Sequence, residues 1–85
     1  MAAKDEFTIT ITNEKGVLYY GPCELLFLPS QSGEIAIMRH HTPMIMKLVP
    51  GKIRIKTSSG MQDVTKVTSG IVYVAEDEAS VLVDL

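Results

Sequence analysis

The stretch GEIAIMRHHTPMIMKLVPGKIR, residues 33–54, decides the fold. In its first part Ile35 and Ile37 share one phase while Ala36 and Met38 take the other. That period of two marks a half-buried strand over 34–38. Adjacent histidines, His40 and His41, then fall in a turn that closes on Thr42-Pro43. A second strand-like run covers 44–49, and Pro50-Gly51 turns the chain again. Beyond it Lys52, Arg54 and Lys56 alternate with Ile53 and Ile55, which separates a cationic face from an apolar one. The stretch also gathers Met38, Met44, Met46 and both histidines of the chain around one exposed-looking loop.

The same period continues outward. Phe7, Ile9 and Ile11 alternate with Thr8, Thr10 and Thr12, and residues 13–16 read as a turn. A short run over 17–20 ends at Gly21-Pro22, a more apolar run covers 23–28, and 29–33 is loop by composition. Residues 57–60 form a hairpin turn, followed by strands over 62–68, 71–75 and 80–85. No segment sustains a helical period. About nine strands with a turn signal every ~6–10 residues predict an all-β fold, an antiparallel sandwich or barrel. The apolar phases predict an interior of Phe7, Ile9, Ile11, Ile53, Ile55, Val72, Val74, Val81 and Val83.

The 85 residues fit one small domain over 1–85, with 1–6 a loose terminus. A chain this short buries only roughly 60–65% of its unfolded surface, so a partner helps. The net charge of −2 provides no basic field for nucleic acid. A single cysteine, Cys23, excludes an intrachain disulfide and fits a reducing compartment. The opening MAAKDEF has no apolar signal core, and no apolar run approaches the ~20 residues of a membrane helix. Membrane association is therefore expected only through a partner.

Reactive groupings are sparse. His40 and His41 are adjacent, so they reach one metal ion only from a loop, and a third ligand is needed. No G-x-S-x-G occurs, and Cys23 lies in an apolar run that argues for burial. Gly51-Lys52 lacks the remainder of a P-loop, so no nucleotide binding or hydrolysis is expected. The Lys52, Arg54, Lys56 stripe reads as a solvated strand face, and Glu76-Asp77-Glu78 as a solvated turn rather than a calcium site. The methionines fit either a core or an adaptable binding surface. From the residues alone the chain is a small antiparallel β domain, a binding or subunit module.

Several pieces in order resemble the epsilon subunit of bacterial rotary ATP synthases. They are Gly33-Glu34-Ile35-Ala36-Ile37, the His41-Thr42-Pro43 turn, Pro50-Gly51-Lys52-Ile53-Arg54-Ile55 and Ser69-Gly70-Ile71-Val72-Tyr73-Val74. That family reads G-E-[LF]-G-I-x-P-G-H-A-P-L-L, then x-P-G-x-[IV]-R-I, then S-G-G-x-x-E-V. The resemblance spans residues 7–85. Departures are Ala36 for Gly, Arg39-His40 for Pro-Gly, and Ile71 for the second Gly of S-G-G. The Pro-Gly change alters the turn, because histidine tolerates positive φ less well than glycine.

The resemblance implies a sandwich of two roughly five-stranded sheets, ending where the family's C-terminal two-helix hairpin would begin. It implies a non-catalytic central-stalk subunit of a proton- or sodium-driven synthase. Such a subunit clamps the gamma subunit, rests on the c-ring and couples rotation to ATP synthesis. It is peripheral, on the cytoplasmic face of the cell membrane. The implied interface is Glu34, His41, Thr42, Pro43, Met44 and Met46, gathered on one face, with Glu34 near the ring loops. No cofactor, metal, small-molecule substrate or nucleic acid is implied. The rival expectations are a stand-alone binding module and a metal-dependent enzyme using His40 and His41 with Glu34 or Asp63.

Overall fold

A computed structural model describes residues 5–85, whose regular structure is entirely strand. Residues 1–4 of the expected loose terminus lie outside the described residues. The strands are β1 (Phe7–Asn13), β2 (Gly16–Cys23), β3 (Leu25–Ser30), β4 (Gly33–Ile37), β5 (Met44–Leu48), β6 (Gly51–Thr57), β7 (Gly60–Val67), β8 (Gly70–Val74) and β9 (Glu78–Val83). They form a five-stranded sheet of order β2-β1-β9-β8-β5 and a four-stranded sheet of order β4-β3-β6-β7. The second sheet is thus one strand smaller than the resemblance implied.

Alternation explains the layering. Ile9, Ile11, Ile53, Ile55, Val72 and Val81 have no exposure, and Phe7, Val74 and Val83 retain at most 5%. All nine expected interior side chains therefore lie in one core, joined by Cys23, Leu26, Leu28 and Ile37. Full burial of each such side chain contributes about 1.5–3 kcal/mol. A close approach fixes the start of β8: a Cβ on Gly70 would lie 2.7 Å from the Leu82 carbonyl oxygen.

Three expectations change. Gly21-Pro22 does not end a strand, since β2 runs through both to Cys23. β2 is a sheet edge paired with β1 alone, and an edge tolerates a residue without an N–H. The loop expected over 29–33 shrinks to two residues, because Pro29 pairs with Glu34 and Ser30 with Gly33 across the β3–β4 hairpin. The Ser30 hydroxyl closes it, donating to the Gly33 carbonyl at 2.6 Å. Finally, β1 and β9 pair in parallel, with Thr10 opposite Ser80. Alternation specifies a strand's phase, not its neighbour or its direction.

Candidate functional site

The two sheets turn different outer faces to solvent. On the four-stranded sheet β6 points Lys52, Arg54 and Lys56 outward, and each cation meets a carboxylate. Lys52 Nζ lies 3.5 Å from Asp63, Lys56 Nζ lies 3.9 Å from Glu24, and Arg54 Nη2 lies 2.9 Å from Glu34 Oε1. Arg54 is forked, because its Nε also donates to Glu34 Oε2 at 3.1 Å. That hydrogen bond to Glu34, the largest cause, holds the guanidinium proton more firmly than usual. The guanidinium carbon also stands 5.0 Å from the Phe27 ring centre.

The five-stranded sheet is different. Register pairs link Tyr20 with Thr10, Thr10 with Ser80, Ser80 with Tyr73, and Tyr73 with Ile45. One row of five neighbouring side chains thus crosses all five strands, and none is charged. Tyr20 is 71% exposed, Ile45 65% and Tyr73 45%. A second row runs Val17, Thr12, Leu82, Ile71, Lys47, with its only charge at the β5 edge. Beside the first row an open hollow of about 440 Å³ is lined by Pro43, Met44, Ile45, Tyr73 and Val74.

The expected interface residues do not share one face. Met44 and Met46 pair with the buried Val72 and Val74, point inward and pack against the core. Ile45 between them is the outward residue. Glu34 belongs to the outer face of the other sheet, locked to Arg54. His41, Thr42 and Pro43 lie in the connection that leaves β4 and enters β5, beside the hollow. His41 Nδ1 is 2.7 Å from the Thr42 carbonyl, which only accepts, so Nδ1 carries the proton.

The grouping a metal-dependent enzyme would need is dispersed. His40 pairs with Glu76, Glu34 with Arg54 and Asp63 with Lys52. Among the described residues no group of three or more His, Cys, Asp or Glu is placed to hold a metal ion. Cys23 is fully buried, and burial is the main cause that pushes its thiol up to about 12, so it is not a thiolate near neutral pH. Among the described residues no helix is long and apolar enough to cross a membrane.

The family model for the ATP synthase, Delta/Epsilon chain, beta-sandwich domain matches residues 6–85. The chain belongs to that family. Among curated relatives, the ATP synthase epsilon chain of Nitrosospira multiformis is 32% identical over 78 residues, covering 92% of this chain and 56% of the relative. The epsilon chain of Psychrobacter arcticus is 36% identical over 74 residues, covering 87% and 54%. The chain thus spans about half the length of the curated relatives it matches. Among solved structures, a chain of the Euglena gracilis mitochondrial ATP synthase (OSCP, F1 and c-ring) superposes with a TM-score of 0.79 at 15% identity, covering 98% of this chain and 53% of that one. A chain of the Tetrahymena thermophila mitochondrial ATP synthase central stalk and c-ring gives 0.72 at 17%, covering 89% and 61%. At these identities the likeness is one of fold.

Within this delta/epsilon sandwich, sequence reasoning missed Ile45 and Tyr73. The signal was present in MIMKL: Lys47 must point outward, and two residues away Ile45 shares its phase.

Proposed function

We propose that this chain is a non-catalytic rotor element of an ATP synthase. It works as one β-sandwich unit that joins the gamma subunit to the c-ring, so that rotation of the ring is carried to gamma. It is held peripherally at the cytoplasmic face of the membrane through that assembly. The observation that carries this reading is the uncharged outer row Tyr20, Thr10, Ser80, Tyr73, Ile45. Monomeric proteins seldom leave extended apolar surface uncovered, and such surface marks partner sites. Kinship with epsilon chains supplies the identity of the partner, and a like fold in a central-stalk structure supports the setting.

Gamma docks on the five-stranded face through Ile45 and Tyr73, with His41, Thr42 and Pro43 at its margin. Met44 and Met46 back that face from within. Glu34, oriented by the Arg54 fork, meets the polar loops of the c-ring from the other sheet. The role asks for stiffness and adhesion, and it uses no cofactor, metal or small-molecule substrate.

Binding of the isolated chain to the gamma subunit of its own synthase, measured by calorimetry, tests this. Ile45→Asp is expected to weaken binding at least ~30-fold, about 2 kcal/mol, as for a central anchor. Lys56→Glu on the ion-paired face is expected to change it less than about threefold. Thermal melts establish that both variants fold. Parent-like binding by folded Ile45→Asp would show this face to be the wrong one, and a parent that ignores gamma would favour a stand-alone module.

A further inference from the structure

The connection between β4 and β5 contains a conformation that its sequence does not favour. Residues 38–41 form a turn closed by the His41 N–H donating to the Met38 carbonyl at 3.2 Å. His40 occupies its third position at φ 68°, where glycine or asparagine is the usual residue. A left-handed non-glycine residue is strained, and such strain persists only where its surroundings over-determine it.

Those surroundings are the β8–β9 turn. The His40 N–H donates to the Glu76 carbonyl at 2.9 Å, and His40 Nδ1 lies 3.1 Å from the Glu76 carboxylate. Arg39 Nε donates to the Asp77 carboxylate at 3.2 Å. The acidic turn is itself fixed: the Ala75 N–H donates to the Glu78 carbonyl at 2.8 Å, and the Thr8 N–H to the Asp77 carbonyl at 3.1 Å. Contacts therefore run from the connection between sheets, through the acidic turn, to β1.

We propose that Glu76 and Asp77 are positioning residues for the docking loop. They latch Arg39 and His40 in the left-handed turn and thereby set His41, Thr42 and Pro43 beside Ile45 and Tyr73. This rests on the docking reading given above. The latch does what a glycine at position 40 would do sterically, and adds a charge-dependent hold between the two sheets. It also accounts for an acidic turn that otherwise reads as solvated.

Residue-resolved amide hydrogen exchange on the chain, with gamma binding measured in parallel, tests the latch. The probes are the His40 and His41 amides, with Ile53 as the core reference. The double variant Glu76→Gln/Asp77→Asn is expected to exchange about fivefold faster at His40 and His41, consistent with one exposed ion pair and one exposed imidazole–carboxylate contact, while Ile53 is unchanged. Gamma affinity is expected to fall about three- to fivefold. Asp77→Glu, which keeps the charge, is expected to retain protection. Salt at about 0.5 M is expected to speed exchange at His40 and His41 of the parent but not at Ile53, which a role in general stability would not do.

Unchanged exchange at His40 and His41 in the double variant overturns the latch. Faster exchange with parent-like gamma affinity, while Ile45→Asp abolishes binding, overturns the positioning role and leaves the docking face standing. Parent-like affinity in Ile45→Asp as well overturns the docking reading, and the positioning role with it.

Discussion

The two outer faces of this sandwich, one of five strands and one of four, cover the same core but treat water oppositely. On the four-stranded sheet the outward positions of β6 are three cations, each matched to a carboxylate. On the five-stranded sheet one outward row is made of hydroxyl, aromatic and aliphatic side chains alone, and the row beside it carries a single charge, Lys47, at the β5 edge. Exposed ion pairs contribute little to stability, typically 0–1 kcal/mol, so the first face gains solubility more than strength. The second face gains neither, and exposed Ile45 and Tyr20 are a liability unless something covers them. The contrast teaches where adhesion lies in a domain whose reactive groups are dispersed: on the side that has left its surface unpaired.

The largest effects separate the two sides of one strand. Met44→Asp drives a carboxylate toward the core and is expected to cost at least ~2 kcal/mol, lowering Tm by about 10 °C. Ile45→Asp, one residue on, is expected to change stability by less than ~1 kcal/mol while losing most gamma affinity. Melts of both variants check this, and equal destabilisation would erase the distinction between the inner and outer phases of β5.

A smaller effect tests which face binds. Docking through the uncharged row predicts a gamma affinity that falls no more than about fivefold between ~50 and ~500 mM NaCl, the share lost through the screened Arg39–Asp77 latch, because the row itself has few charges to be screened. A loss beyond about tenfold would assign the contact to the cationic stripe instead.

Much of this was legible in the sequence, for a physical reason. Where one face is buried and the other wet, a slip of one residue would invert every side chain, so alternation in FTITIT or KIRIK fixes which side is interior. MIMKL carries a weaker message. Four of its five residues are apolar, and only Lys47 breaks the tie, so the run itself leaves core or surface open for the methionines, and the face the resemblance implies is not the one they occupy: they point in. Glu34 joins them through the family resemblance, which does not say which sheet face it occupies, and a chain that crosses between sheets after β4 separates the two. The His40 turn illustrates the remainder. Arg39-His40 predicts poor tolerance of positive φ, but tertiary contacts from Glu76 and Asp77 override the local preference.

The smallest expected effect concerns the far end of the five-stranded sheet. Asp84 follows β9, and its carboxylate accepts from the Thr68 N–H at 2.9 Å, the Thr68 hydroxyl at 2.8 Å and the Ser69 N–H at 3.1 Å. The bonds from Thr68 are the main cause that holds its pKa below the ordinary value of 3.8. A carboxylate depressed on folding contributes stability that is fully present above 3.8 and is lost as pH falls through its lower folded value. Asp84 is solvent-exposed, so the change is small. Melting curves between about pH 2 and pH 5 are expected to fall less steeply for Asp84→Asn than for the parent, with the two differing most at the upper end. Parallel curves would mean that the bonds to Thr68 and Ser69 do not distinguish folded from unfolded chain.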